Sequence, residues 1–201
     1  MGEDDARTPA DYQLDASVLV KGPRDDVFAA LVTPDLIARW MIGAFDVSGP
    51  VPDPPVVGSR YRLGLLDRGA RSSGLFKHDG VRFVAVMAEC APDRLARTFE
   101  VDESTTFGPS DREDAARVVL YELQSGRRGT TVRCQVQSPL PSAWQRKDGR
   151  LKVGFGLIID KHNQSLERSL GHLRSVVEGS RRRQAKGIWG FRDASYLPQL
   201  L

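Results

Sequence analysis

Cysteine and histidine are scarce in these 201 residues, with two of the first and three of the second, and no apolar run approaches the roughly 18 residues that a membrane span requires. Each shortage removes a class of protein. Two cysteines cannot build a disulfide framework; Cys90 and Cys134 fall in strand-like segments, where buried thiols are expected, and they offer no metal-ligand spacing. His78, His162 and His172 are scattered, with no acidic residue at zinc-ligand distance beside them, so no metal and no other cofactor is expected. Ser72-Ser73-Gly74 and Ser138-Pro139-Leu140-Pro141-Ser142 read as loops, not as the serine-centred elbow of a hydrolase. Gly154 and Gly156 follow no strand and make no dinucleotide fingerprint; they either loosen a helix start or let its backbone approach a sheet closely.

Charge of one sign is also in short supply. The net charge is +3, and the cluster Arg181, Arg182, Arg183 and Lys186 reads as a solvated tail more than as a site for nucleic acid or anionic lipid. No signal peptide is visible in the acidic stretch from Met1 to Thr8, so a cytoplasmic protein without integral membrane association is expected.

What the chain does hold is apolar periodicity. A hydrophobic fraction of 40% over this length favours one domain with a substantial core. From about Leu151 to Glu178 the residues Phe155, Ile159, His162, Leu166, Leu170, Leu173 and Val177 recur in steps of three and four, which predicts one long amphipathic helix capped by Gly179. Ahead of it lies strand-like material: Tyr12 to Val20, Ala44 to Ser48, Arg60 to Leu66, Val81 to Glu89, Leu95 to Val101, Arg117 to Leu123 and Thr130 to Gln137. Pro92-Asp93 marks a hairpin between the fourth and fifth of these. Two short helices are inserted after the first strand, one opened by Pro23 with Asp25 and Asp26 in its first turn, the other by a Thr33 hydroxyl cap and Pro34. Strands and helices are segregated, so the class is α+β, with a curved antiparallel sheet gripping one long helix. Residues 1–11 read as a disordered leader, 12–179 as the domain, and 180–201 as a basic and aromatic tail that either docks, on this chain or in a homodimer, or stays disordered.

Val20-Lys21-Gly22-Pro23 followed by Asp26-Val27-Phe28-Ala29-Ala30-Leu31, then Thr33-Pro34-Asp35-Leu36-Ile37-Ala38-Arg39-Trp40, resembles the opening of the START-like superfamily, also called SRPBCC or the birch-pollen-allergen fold. Within it the resemblance is to the branch named after activators of a heat-shock ATPase. Val57-Gly58, Ala91-Pro92-Asp93-Arg94-Leu95 and Gly129-Thr130-Thr131-Val132 match in kind and order, and Leu166, Leu170 and Leu173 match the closing helix, with Leu166 where tryptophan is usual. The resemblance runs from about Asp15 to Gly179. It implies a helix-grip fold with a hydrophobic cavity between sheet and helix, used across the superfamily for lipids, polyketides and steroids. It does not imply one activity.

On that footing the expected guest is a polycyclic or aromatic small molecule, as in natural-product biosynthesis or resistance. Two alternatives stay open: a polyketide aromatase or cyclase, and a co-chaperone-like interaction module. The expected lining is Trp40, Met41, Phe45, Tyr61, Leu63, Phe76, Phe83, Met87, Phe99, Tyr121, Phe155, Ile159 and His162. An enzyme would draw its proton-shuttling groups from His162, Tyr121 and Tyr61. Each of these residues is equally readable as core, His162 for example as an imidazole bonded to the Tyr121 hydroxyl or to a backbone carbonyl.

Overall fold

The computed structural model describes residues 11–49, 55–65, 81–102, 117–140 and 154–185. Its elements run β1 (Asp11–Val20), α1 (Arg24–Val32), α2 (Pro34–Trp40), β2 (Ala44–Ser48), β3 (Arg60–Leu65), β4 (Val81–Ala91), β5 (Arg94–Val101), β6 (Arg117–Gly126), β7 (Gly129–Pro139) and α3 (Phe155–Ala185). Seven strands form one antiparallel sheet in the order β1-β7-β6-β5-β4-β3-β2. This is the helix-grip architecture: the curved sheet closes on α3, and α1 and α2 fill the corner after β1.

Alternation decides which face is buried. Leu14, Ala16 and Val20 of β1 point inward, as do Val132 and Cys134 of β7, Val119, Tyr121 and Leu123 of β6, and Phe83, Ala85 and Met87 of β4. The paired register keeps these sets level, Ala16 beside Cys134 beside Tyr121 beside Leu95, so a one-residue slip would turn a whole strand inside out. The outer face is polar. Arg133 lies across from Asp15 with its Nε at 3.2 Å and from Glu122 at 3.8 Å, exposed pairs that add little stability but keep this face wet.

The long helix is clamped at the Lys21-Gly22 corner. A Cβ on Gly22 would lie 3.1 Å from a Val177 methyl, so glycine lets the end of β1 meet the helix. The Lys21 N–H donates to Glu178 at 3.0 Å, and Arg181 donates to the Lys21 carbonyl at 3.2 Å while lying 3.8 Å from Asp26. Ile42 at the end of α2 donates its N–H to Ser169 Oγ at 3.3 Å, tying the other side of the same corner.

Three expectations are corrected by these contacts. Gly179 does not cap the helix, which runs on to Ala185 because Glu178 and Arg181 are held by Lys21 on either side of it. Arg181 is therefore part of the domain and not of a solvated tail. Thr33 stands at the N-cap of α2, yet its side chain makes no cap bond; its backbone N–H closes α1 on Ala29 O at 3.0 Å instead. No described residue lies within 4 Å of a Cβ built on Gly154 or Gly156, so neither serves close approach to the described sheet, and Gly154 has φ +95 just before the helix. Residues 1–10 of the expected leader, His78 and the tail from 186 onward lie outside the described residues, while Asp11 opens β1.

Gly179 sits in a helix interior with open space around its Cα, so Gly179→Ala should raise the unfolding free energy by about 1 kcal/mol in denaturant titration; a loss of similar size would return the residue to a capping conformation. Gly129, at φ +136, is different, since a Cβ there would come within 2.1 Å of Val20 O. Gly129→Ala should cost about 3 kcal/mol in the same measurement.

Candidate functional site

The concave face of the sheet collects aromatic rings because four strands each place one or two inward. Phe83 and Phe99, near neighbours on β4 and β5, meet edge to face at 6.3 Å, and Trp40 from α2 meets Tyr121 edge to face at 6.4 Å. Trp40 also donates its Nε1–H to Ala30 O at 2.9 Å, which fixes the α1–α2 corner against the sheet. Trp40, Tyr61, Leu63, Phe83, Met87, Phe99 and Tyr121 thus come together in one continuous core, and Met41 packs on it half-buried.

The remaining candidates fall elsewhere. Ile159 and His162 are half-buried on the first half of α3, and the His162 ring lies 6.4 Å from that of Tyr12. Tyr12 pairs with Ser138, four residues along β7 from the Cys134 that pairs with Tyr121, or about 13 Å at the usual rise of a strand. Tyr121 and Cys134 are directly paired residues of β6 and β7. Phe76 and the side chains of Phe45 and Phe155 lie outside the described residues.

The residue that sequence reasoning missed is Arg97, which is 0% exposed. Its signal was in the alternation of β5: Leu95, Arg97 and Phe99 share a face, and the two flanking residues are core. The guanidinium carbon stands 5.5 Å from the ring centres of both Tyr61 and Tyr121, which approach it diagonally from either side. Nη2 donates to Leu31 O, one of the last carbonyls of α1, where the helix dipole is negative and the last turn has no basic residue of its own. Nε and Nη1 have no acceptor among the described residues, nor has the Tyr61 hydroxyl, itself 1% exposed.

The charge is compensated only indirectly among the described residues. Cation–π contact with two rings is worth about 2 kcal/mol each when desolvated, and a helix C-terminus about 1 kcal/mol. Removing a charged group from water costs several kcal/mol even after relaxation. Among the described residues no carboxylate offsets that cost; Asp102, the buried acid nearby in sequence, pairs with Arg62 at 3.4 Å.

Burial pushes the Tyr61 hydroxyl up and the Tyr121 hydroxyl well up, against the opposing pull of Arg97. Burial likewise pushes the Cys134 thiol from 9.0 to about 12. All three groups are therefore neutral at physiological pH and keep a proton that can be donated. A separate hollow of about 350 Å³ at the β2–β3 edge, lined by Ser48, Gly49, Arg60, Tyr61, Arg62 and Val84, is open to solvent. It lies on the face carrying the exposed Arg60 and Arg62, away from the aromatic interior, and brings no convergent chemistry.

The sequence pattern of the Activator of Hsp90 ATPase homolog 1-like proteins matches residues 21–178. The chain belongs to this family. No curated protein matches it. Among solved structures, a Staphylococcus aureus protein of unknown function is 14% identical, with a TM-score of 0.59 over 86% of this chain and 96% of that one. A Chromobacterium violaceum protein is 19% identical, with a TM-score of 0.56 over 83% and 97%. DynU16, from the dynemicin biosynthetic locus, is 22% identical with a TM-score of 0.53; 84% of this chain aligns with 48% of it. These likenesses show the fold. Among the described residues of this family member no group of three or more metal-ligating side chains converges, and no helix is long and apolar enough to cross a membrane.

The raised thiol sets a pH dependence. Folded Cys134 keeps its proton to about pH 12, whereas an unfolded thiol releases it near 9.0, so its contribution is full below pH 9 and drains away as pH climbs toward 12. Unfolding free energy should fall from about pH 9, at up to about 1.4 kcal/mol per pH unit for this group. The raised tyrosines add to the fall from about pH 10. In Cys134→Ala the decline between pH 9 and 10 should become shallower, leaving only what the less buried Cys90, also raised by burial, contributes there, as read from denaturation midpoints across pH; an unchanged slope would contradict the assignment.

Proposed function

We propose that this protein encloses an apolar small molecule between the concave face of its sheet and the first half of α3, and that the guest is polycyclic or aromatic, in the service of natural-product biosynthesis or resistance. The observation that carries the reading is the gradient of burial along α3. Leu170, Leu173 and Val177 are 1%, 0% and 4% exposed, whereas Leu166, His162 and Ile159 on the same face are half-buried. Apolar side chains are thus left under-covered at the end where the helix begins. A guest seated beneath that end would complete their burial, at roughly 25 cal/mol for each Å² of apolar surface before the cost of ordering is subtracted.

The class of guest follows from the lining. Edge-to-face rings from Trp40, Tyr121, Phe83 and Phe99 offer flat, polarised surfaces suited to another ring system. The fold resemblance to DynU16, a protein of a natural-product locus, agrees with that chemistry without deciding it. Binding is favoured over an aromatase or cyclase because Tyr61, Tyr121 and Cys134 all stay protonated near neutral pH, while His162 stands against Tyr12, well along the sheet from them. A catalytic proton shuttle needs a group poised near the working pH within reach of the reacting atoms.

The neutral fluorophore N-phenyl-1-naphthylamine tests this directly. It should bind the full chain, and Ile159→Asp should weaken it at least tenfold, while His172→Asp on the exposed face of α3 should leave it within twofold. Native mass spectrometry of protein from its own host should show a retained apolar mass. No probe binding and no retained mass would overturn the reading.

A further inference from the structure

We infer that Arg97 is the anchor for an ionised oxygen on the guest, so that the ligand is an apolar organic acid and not a neutral hydrocarbon-like molecule. The inference rests on the binding reading above and deepens it. Three features of one place in the fold carry it. Arg97 is wholly buried, and among the described residues its Nε and Nη1 lack acceptors, the buried Tyr61 hydroxyl beside it lacks a partner, and no carboxylate neutralises the guanidinium.

A purely structural role explains only part of this. The bond from Nη2 to Leu31 O pins the end of α1 to β5, and one donor suffices for it. A clamp alone would leave the other nitrogens idle in a water-poor interior, where an unpaired donor is unfavourable. Leu95 and Phe99, two positions to either side on the same face, show the apolar residues that the sheet otherwise places there.

The surroundings select the chemistry of the missing partner. Tyr61, Tyr121 and Cys134 are neutral donors, and Trp40 and the two tyrosine rings are apolar walls. An anionic oxygen at this point would accept from the unfilled guanidinium nitrogens and from the Tyr61 hydroxyl, a charge-assisted arrangement stronger than a neutral one. The rest of the molecule would meet rings. A cation would be repelled, and a neutral molecule would leave the charge uncompensated. Carboxylate, sulfonate and ionised phenol share the required oxygen.

Two fluorophores built on the same ring skeleton isolate that oxygen: 8-anilino-1-naphthalenesulfonate carries an anionic group, and N-phenyl-1-naphthylamine does not. The full chain should bind the sulfonate at least tenfold more tightly. Arg97→Met should abolish the preference while keeping the neutral probe within twofold, and Arg97→Lys should retain part of it. Tyr61→Phe removes a hydroxyl that bonds nothing in the fold, so it should leave thermal stability unchanged and weaken the sulfonate about threefold. Should Arg97→Met fail to fold, the ¹⁵N resonance of Arg97 Nε in the unaltered protein decides, and it should shift with the sulfonate and stay put with the neutral probe. Equal affinity for the two probes, or a preference that survives Arg97→Met, overturns the inference while the general binding reading stands. If neither probe binds, that wider reading falls first. Competition by dodecanoate against anthracene-9-carboxylate then separates aliphatic from aromatic acids.

Discussion

Everything in this fold depends on how closely the end of β1 meets α3. Gly22 leaves a gap only a methyl group wide, Val177 fills it, and the Lys21 backbone is held from both sides by Glu178 and Arg181. That closure brings the apolar face of the sheet against the helix. It also decides where the packing is tight. The helix is gripped along its second half, from Leu170 to Val177, and its first half lies beyond the clamp. The uneven burial of α3 is therefore a consequence of where the chain crosses it, and not of any weakness in the helix pattern itself.

Closure has an electrostatic consequence as well. Once the sheet curls and the α1–α2 corner covers it, whatever points inward is removed from water, including a residue whose charge cannot be shed. For Tyr61, Tyr121 and Cys134 the response to burial is to keep the proton. Arginine has no such option. It collects the weaker compensations within reach, two ring faces and a helix terminus, and remains short of a counter-charge. A single interior thus combines neutral donors, aromatic walls and one fixed positive charge, a combination suited to holding a molecule with an acidic end and an apolar body.

Much of this was legible beforehand, and the reasons are local. Period-two alternation in Tyr61 to Leu63 and in Val132 to Val136 places those strands with the correct face inward, because successive side chains must point opposite ways. Pro23 and Pro34 mark the two short helices, and Pro92-Asp93 marks the β4–β5 turn. The misreadings have different causes. Gly179 looked like a helix end because glycine is a poor helix residue, yet contacts to Lys21, 158 residues away, outweigh a local penalty of about 1 kcal/mol. Thr33 looked like a hydroxyl cap, and only its backbone is used. The partner of His162 could not be read from spacing, and the fold sets its ring 6.4 Å from that of Tyr12 at the start of β1.

The sequence by itself determined the class of the fold, the identity of the inward faces, the family and the amphipathic helix that closes the sheet, because each rests on spacing within a segment and on the order of segments. Tertiary structure alone decided what those faces do to one another. Arg97 sits in a strand whose alternation already turned it inward, but a lone arginine on such a face reads as an edge or an outlier until the covering elements arrive. Only when Tyr61, Tyr121 and the end of α1 converge on it from separate parts of the chain does it become a buried charge with donors unfilled. Burial belongs to the assembled shape and to no segment, which is why the site had to be seen in three dimensions.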